Sequence, residues 1–189
     1  MSDASRCSFG ASDLEGLWAD HPYYEEQWTQ PPPAEETITE VEKRLGYRLP
    51  AAYIELCHHR NGGGLQRDCF PTMEATSWAE DHVAITAYSA IGWDTANSLC
   101  GSCGSQFMIE EWEYPPIGIV FGQCPSAGHD VIMLDYSECG PEGEPRVIHV
   151  DQEFDYARTL LAPDFASFIK GLVPGEDFED VEEEERERL

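Results

Sequence analysis

Seven cysteines are the residues of this sequence with the widest choice of chemistry. They are Cys7, Cys57, Cys69, Cys100, Cys103, Cys124 and Cys139. Cys100 and Cys103 have the spacing of half a structural zinc site, and Cys124 and Cys139 could supply two further thiolates. Because these last two are not a close pair, free or weakly redox-active thiols are the better interpretation, and no metal is predicted. Without a recognisable secretory signal, the sequence predicts a cytoplasmic protein with reduced thiols.

His129 and Asp130 are residue types that could do acid–base work. Neighbouring residues of a strand point to opposite faces of a sheet, so these two side chains are not expected to meet. No recognised motif ties a nucleophile to them. Glycines 62–64 lack the lysine and hydroxyl residue of a phosphate-binding loop. The sequence therefore predicts no catalytic residues and no cofactor, and a hydrolase using His129 and Asp130 is the weaker alternative.

Two short segments set an aromatic ring beside a carboxylate, the combination that protein interfaces favour as anchors. They are Trp93-Asp94 and Asp135-Tyr136. Core packing is the competing role for Trp93, and capping of the following turn is the competing role for Asp135. We expect Asp94 and Asp135 to be exposed and able to pair with Lys or Arg of a partner. The four residues form the predicted partner-binding site.

The charge balance favours a basic protein partner. The chain has 37 acidic and 11 basic residues and a net charge of −26. Residues 175–189 carry nine acids and two arginines, a net of −7, so the rest still carries −19. Phosphate backbones would be repelled, which disfavours a nucleic-acid partner, whereas a basic protein would be attracted. Solubility alone, or a salt-rich habitat, is the plainer explanation. No apolar run approaches the length of a membrane span.

Residues 131–134 form an unbroken apolar run, rich in β-branched residues and bounded by turn signals, which predicts a strand buried on both faces. Similar runs at 117–121 and 147–150 predict a meander with 131–134 in its middle. Helices are predicted at 35–45, ending at Gly46, at 51–60, and from Phe165 to Leu172 after a cap at Asp164. Short strands are predicted at 83–85 and 90–93, and the pattern at 107–112 fits either a strand or a helix.

The order of these features resembles the SUKH superfamily, which includes fungal cell-wall-synthesis regulators of the Smi/Knr type and many bacterial immunity proteins. The resemblance rests first on residues 42–50 (EKRLGYRLP), then on Tyr53 and on Asn61-Gly62-Gly63. Ile91-Gly92-Trp93, the Leu134-Asp135-Tyr136-Ser137 segment and the final helix are also similar. The resemblance spans about residues 35–173. The segment around Cys100 and the acidic tail have no counterpart in it.

The resemblance implies an α+β fold: a largely antiparallel sheet with helices packed on it, in one domain. We place that domain at residues 14–173, between a flexible N-terminus (1–13) and an acidic C-terminal tail (174–189). The resemblance also implies binding without catalysis. An immunity protein that neutralises a basic, nuclease-type toxin is the favoured function; a regulatory scaffold is the alternative, and a zinc- or thiol-containing module comes last.

Overall fold

The computed structural model describes residues 7–178. Its helices are α1 (Ala11–Leu14), α2 (Pro22–Gln27), α3 (Glu35–Leu45), α4 (Ala51–His59), α5 (Ser105–Glu111) and α6 (Phe165–Gly171). Its strands are β1 (Gly63–Gly64), β2 (Cys69–Pro71), β3 (His82–Ala84), β4 (Ala87–Tyr88), β5 (Gly118–Gln123), β6 (Asp130–Asp135), β7 (Arg146–Asp151) and β8 (Ala157–Ala162). This segregation of helices from antiparallel strands is the α+β class that was predicted.

Within the described residues, six strands form the main sheet in the order β1-β4-β5-β6-β7-β8, and β2 and β3 form a separate hairpin. Every neighbouring pair is antiparallel. The predicted meander is confirmed, because β6 pairs with β5 on one side and with β7 on the other. A bulge between Val120 and Gly122 shifts the register of β5 against β6.

Both faces of the sheet are covered, which explains the unbroken apolar run in β6. Ile132 and Leu134 join the core beneath α3, α4 and α6, whereas Val131 and Met133 join a second core beneath α5. Successive side chains of a strand point to opposite faces, so both sets must be apolar. Burying each such side chain contributes roughly 1.5–3 kcal/mol.

The three helices predicted with boundaries, now α3, α4 and α6, begin and end within one residue of the predicted positions. α3 buries Ile38 and Val41 and ends at Gly46, whose φ of 76° is the left-handed conformation that glycine adopts most readily. α4 begins after Pro50 and ends at His59, one residue before the predicted end. In the cap of α6, Asp164 Oδ1 accepts a hydrogen bond of 2.7 Å from the Ser167 amide.

The sequence signal is weakest where the elements are short. Residues 107–111 are helical, within α5, and Trp112 is its C-cap. β3 begins and ends one residue earlier than the strand predicted at 83–85. The strand predicted at 90–93 is wrong, because those residues form a bent segment. β4 and β8 were not predicted; β8 is a sheet-edge strand with five of its six residues at least partly exposed and no long apolar run.

Packing extends beyond the expected domain limits of 14 and 173. Phe9 lies in the main core, and Glu55 of α4 accepts hydrogen bonds from the amides of Ser8 and Phe9 at 2.7 and 3.2 Å. At the other end, the Phe178 ring stacks on His82, with 4.0 Å between centroids. The remainder of the predicted flexible N-terminus (1–6) and of the acidic tail (179–189) lies outside the described residues.

None of the helices within residues 7–178 combines the length and the apolar character needed to cross a membrane.

Candidate protein-binding surface

Trp93 lies at the surface in a loop whose backbone is hydrogen-bonded to the buried side chain of Asn61. Asn61 is buried; its Oδ1 accepts from the Ile91 amide at 2.7 Å, and its Nδ2 donates to the Ile91 carbonyl at 3.1 Å and to the Pro31 carbonyl at 2.8 Å. An amide side chain can satisfy a donor and an acceptor of one residue at once. The Asn-Gly-Gly turn after α4 therefore positions the Ile91-Gly92-Trp93 segment.

The Trp93 ring is 39% exposed, and the Arg44 guanidinium of α3 lies over it at 4.4 Å from the ring centroid. Arg44 in turn binds Glu40 through its Nε at 2.9 Å. This cation–π contact occupies the face that a cationic partner would use. Asp94 is exposed, as expected.

The expectation that Asp135 is exposed is wrong. Asp135 is 1% exposed, and its Oδ2 accepts from Arg146 Nε at 2.8 Å. Its Oδ1 accepts from the Ser137 amide at 2.9 Å, which is the turn-capping role. Tyr136 is also buried, and its hydroxyl donates to the Arg48 carbonyl at 2.5 Å. The predicted four-residue patch is therefore not one surface: Trp93 and Asp94 are outside, whereas Asp135 and Tyr136 are inside.

A different surface joins exposed aromatic rings to carboxylates. It is a hollow of about 230 Å³, which we call the acidic hollow, between the β2–β3 loop and the ends of β6 and β7. Its lining residues are Ser77, Trp78, Ser126, His129, Asp130, Asp151, Glu153 and Phe154. Trp78 is 40% exposed and Phe154 is 63% exposed, values that are high for such large apolar side chains.

Local hydrogen bonds hold both rings in place. Thr76 Oγ1 accepts from the amides of Trp78 and Ala79 at 3.2 and 3.4 Å, which closes the turn that carries Trp78. Asp151 Oδ1 accepts from the amides of Glu153 and Phe154 at 2.9 and 3.3 Å, which closes the turn after β7. Side-chain oxygens of Thr and Asp commonly order turns in this way. Both rings are thus presented by ordered turns.

The charges of the acidic hollow are negative. Asp130 and Asp151 lie at its buried side and Glu153 at its exposed rim, and none of the described residues that line it is Lys or Arg. Glu74, Glu80 and Asp81 add charge on the same β2–β3 loop. His129 Nδ1 lies 3.5 Å from Glu153 Oε1 at the rim. Aromatic walls beside carboxylates suit a lysine or arginine side chain.

His129 and Asp130 do not form a catalytic pair. His129 is half exposed, whereas Asp130 is buried and its Oδ2 lies 2.6 Å from Nε2 of His149 on β7. Burial opposes ionisation of Asp130, but hydrogen bonds from His149 and Ser126 outweigh it and lower the pKa of this carboxyl. Cys124 lies beside Asp130 and His149, and the three buried side chains form one cluster. Burial raises the pKa of the Cys124 thiol well above its ordinary value. A thiol so held is a poor nucleophile.

The structure does not gather the four cysteines considered for zinc. Cys124 is buried beside Asp130 and His149, and this is the one group of three potential metal ligands found within residues 7–178. Cys100 and Cys103 lie in the loop before α5, and Cys139 lies exposed in the β6–β7 loop. A second hollow of about 230 Å³ lies beside α5; no carboxylate lines it, so it offers no charge to a basic partner.

Comparison with protein families matches residues 32–171 to the SMI1 / KNR4 family (SUKH-1). The matched region contains α3 to α6 and all eight described strands, so it includes the sheet and the acidic hollow. No match is found among curated proteins.

Proposed function

Since the chain belongs to the SMI1 / KNR4 family (SUKH-1), we propose that it is a non-catalytic immunity protein that binds and blocks a basic toxin domain. The observation that carries the proposal is the acidic hollow, where exposed Trp78 and Phe154 flank a surface lined by carboxylates. A cytoplasmic location follows for a protein that meets an incoming toxin in the recipient cell.

Binding begins with long-range attraction. Residues 1–174 carry a net charge of −19, so a basic domain is steered towards this chain from beyond contact distance. Such steering raises the association rate and weakens as salt screens the charges over about 8 Å at physiological ionic strength.

Docking then places a lysine or arginine side chain of the toxin between Trp78 and Phe154. The ring faces attract the cation, and Asp151 and Glu153 supply the compensating charge. Aromatic anchors of this kind carry most of the binding energy in protein interfaces and govern dissociation. A nuclease-type toxin fits because it needs basic residues to hold phosphates, and covering those residues blocks its substrate.

Absence of a catalytic role is supported by the placement of the candidate groups. His129 points to the rim, Asp130 is bonded to His149, and Cys124 is buried. A nucleophile, a base and a substrate-sized space do not coincide at any of these three residues. The second candidate function is a regulatory scaffold, which would bind a basic segment of a partner protein in the same hollow. The observation that favours it is the match to the SMI1 / KNR4 family.

Co-expression separates the two candidates. A basic, nuclease-type toxin domain, sought in the gene beside the one for this chain, is expressed in a sensitive cell with the intact chain or with Trp78→Ala/Phe154→Ala. Growth restored by the intact chain and lost with the double variant is the expected result. Failure of the intact chain to bind the toxin or to restore growth would reject the immunity function and leave the scaffold role.

A further inference from the structure

Cys124, Asp130 and His149 bring a sulfur, an oxygen and a nitrogen donor together at one point inside the sheet. Their ligand atoms all lie within 4.8 Å of one another, and all three side chains are buried. We propose that these residues form a mononuclear binding site for a zinc-type divalent cation, with its fourth position open towards the acidic hollow.

Strand register makes the cluster. Asp130 begins β6 and pairs with Asp151, while His149 pairs with Ile132, so Asp130 and His149 are diagonal neighbours. Gln123 ends β5 opposite Val131, and the next residue, Cys124, comes alongside Asp130. Two adjacent strands, β6 and β7, thus supply one donor each, and the residue directly after β5 supplies the third. Groups fixed on paired strands are held more rigidly than groups on loops, as a metal site requires.

One oxygen of the cluster is poorly satisfied. Asp130 Oδ1 is buried and accepts no hydrogen bond of ordinary geometry from the described residues; the Cys124 thiol, a weak donor, and Ser126 lie near the carboxylate, and Oδ2 is already bonded to His149. Buried carboxylate oxygens are almost always paired, because a buried acceptor without a partner loses the hydrogen bonds that it makes to water in the unfolded chain. A cation between the three side chains would satisfy this oxygen.

The spacing and charge suit zinc. Ligands at about 2.0–2.3 Å in a tetrahedron stand roughly 3.3–3.7 Å apart, so the Asp130–His149 contact of 2.6 Å needs to open by less than about 1 Å. A thiolate and a carboxylate carry two negative charges, which a divalent ion neutralises, so no net charge is buried. The mixture of sulfur, imidazole and carboxylate selects zinc over magnesium or calcium.

Access is through the two hollows that meet the cluster. Asp130 and Asp151 line the acidic hollow, and His149 and Asp151 line an adjoining one of about 300 Å³. A water molecule entering there would complete the tetrahedron, as in sites with three protein ligands.

The test is a titration of the reduced, full-length protein with Co²⁺, a spectroscopic substitute for zinc. We expect one Co²⁺ per chain, a sulfur-to-cobalt charge-transfer band, and displacement by Zn²⁺. Cys124→Ala and His149→Gln should each weaken binding more than about tenfold, since losing an outer-shell partner alone costs about 10–100-fold. Matched controls are Cys103→Ser and Cys139→Ser, which remove exposed thiols and should leave the band unchanged.

If Cys124→Ala or His149→Gln fails to fold, X-ray absorption spectroscopy of the zinc-loaded intact chain identifies the metal ligands without any variant. One sulfur at about 2.3 Å with nitrogen and oxygen at about 2.0–2.2 Å supports the site. A coordination shell without sulfur, no binding by the intact chain, or a band lost in Cys103→Ser or Cys139→Ser overturns it.

Discussion

Asn61 and Ile91 are joined by two hydrogen bonds, one in each direction, so that the end of α4 fixes the segment that carries Trp93. Nδ2 of Asn61 also donates to the Pro31 carbonyl at 2.8 Å, which ties the proline-rich segment before α3 to the same point. One buried amide therefore connects three stretches that are far apart in sequence.

Replacing this amide should destabilise the fold. Asn61→Ala leaves the Ile91 amide and two carbonyl groups without their partners, so we expect a loss of at least about 2 kcal/mol of unfolding free energy. Denaturant unfolding measures it. Asn97→Ala is the control, because Asn97 donates one bond of 3.3 Å from a partly exposed position and should cost under about 1 kcal/mol. Equal losses in the two variants would show that Asn61 does not connect these segments.

Arg146 is needed because it neutralises a buried carboxylate. Arg146→Met leaves Asp135 ionised and without its cation, so we expect the free energy of unfolding to fall by about 2–3 kcal/mol. This is less than the roughly 3–5 kcal/mol for breaking a fully buried ion pair, because about a third of the Arg146 side chain is exposed. Arg158→Met, on the exposed side of edge strand β8, is the matched control and should cost under about 0.5 kcal/mol.

The effect of Arg146→Met should depend on pH. Burial opposes ionisation of Asp135, but hydrogen bonds from Ser137 and Arg146 outweigh it and lower the pKa of this carboxyl in the folded state. Its stabilisation is thus present above the unfolded pKa and lost as pH falls. The difference between wild type and Arg146→Met should shrink in acid; a difference that grows there would contradict this assignment.

Glu55 should fasten the N-terminal segment only while it is ionised. Burial opposes its ionisation, but hydrogen bonds from Cys7, Ser8 and Phe9 prevail and lower its pKa from 4.5 to about 2. The folded pKa is the lower one, so stabilisation is complete above about pH 4.5 and disappears as pH falls towards 2. We expect proteolysis near Phe9 to become easier over that range, and Glu55→Gln to behave at pH 6 as wild type does in acid.

Glu36→Gln is the control for this experiment, since Glu36 is exposed on α3. Cleavage that is equally fast in wild type and Glu55→Gln at pH 6 would mean that the carboxylate does not hold the segment.

Much of the fold could be predicted because its elements leave local signals. The run at 131–134 and the Leu45-Gly46 ending of α3 show burial and capping without reference to distant residues. β4, with only Ala87 and Tyr88, is too short for any periodicity. Its place depends on pairing with Gly122 and Gln123, which the sequence does not reveal.

The candidate site was harder to predict because strand register creates it. Asp135 is buried because register places Arg146 opposite it, and Asp130 meets His149 for the same reason. Trp78 and Phe154 come from two unrelated turns that only the folded chain brings together. The sequence signal that could have indicated this site is Asp151, which follows the strand residues 147–150 and begins a turn that carries Phe154.

Association with the toxin should slow as salt increases. The net charge of −19 on residues 1–174 supplies the attraction, so raising ionic strength from about 0.01 to 0.15 M shortens the screening length from about 30 to 8 Å. We expect at least a tenfold decrease in association rate and a much smaller change in dissociation rate, measured by stopped flow. An association rate independent of salt would exclude electrostatic steering.

Calorimetric titration of the toxin domain against wild type, Trp78→Ala/Phe154→Ala and Trp93→Ala tests the central claim most directly. Each ring of the acidic hollow should contribute as an anchor, so the double variant should bind at least about tenfold more weakly. Trp93→Ala should change affinity less than about threefold, because Arg44 already covers that ring. If Trp93→Ala abolishes binding while the double variant binds like wild type, docking occurs at Trp93 and Asp94 and the acidic hollow is not the binding surface.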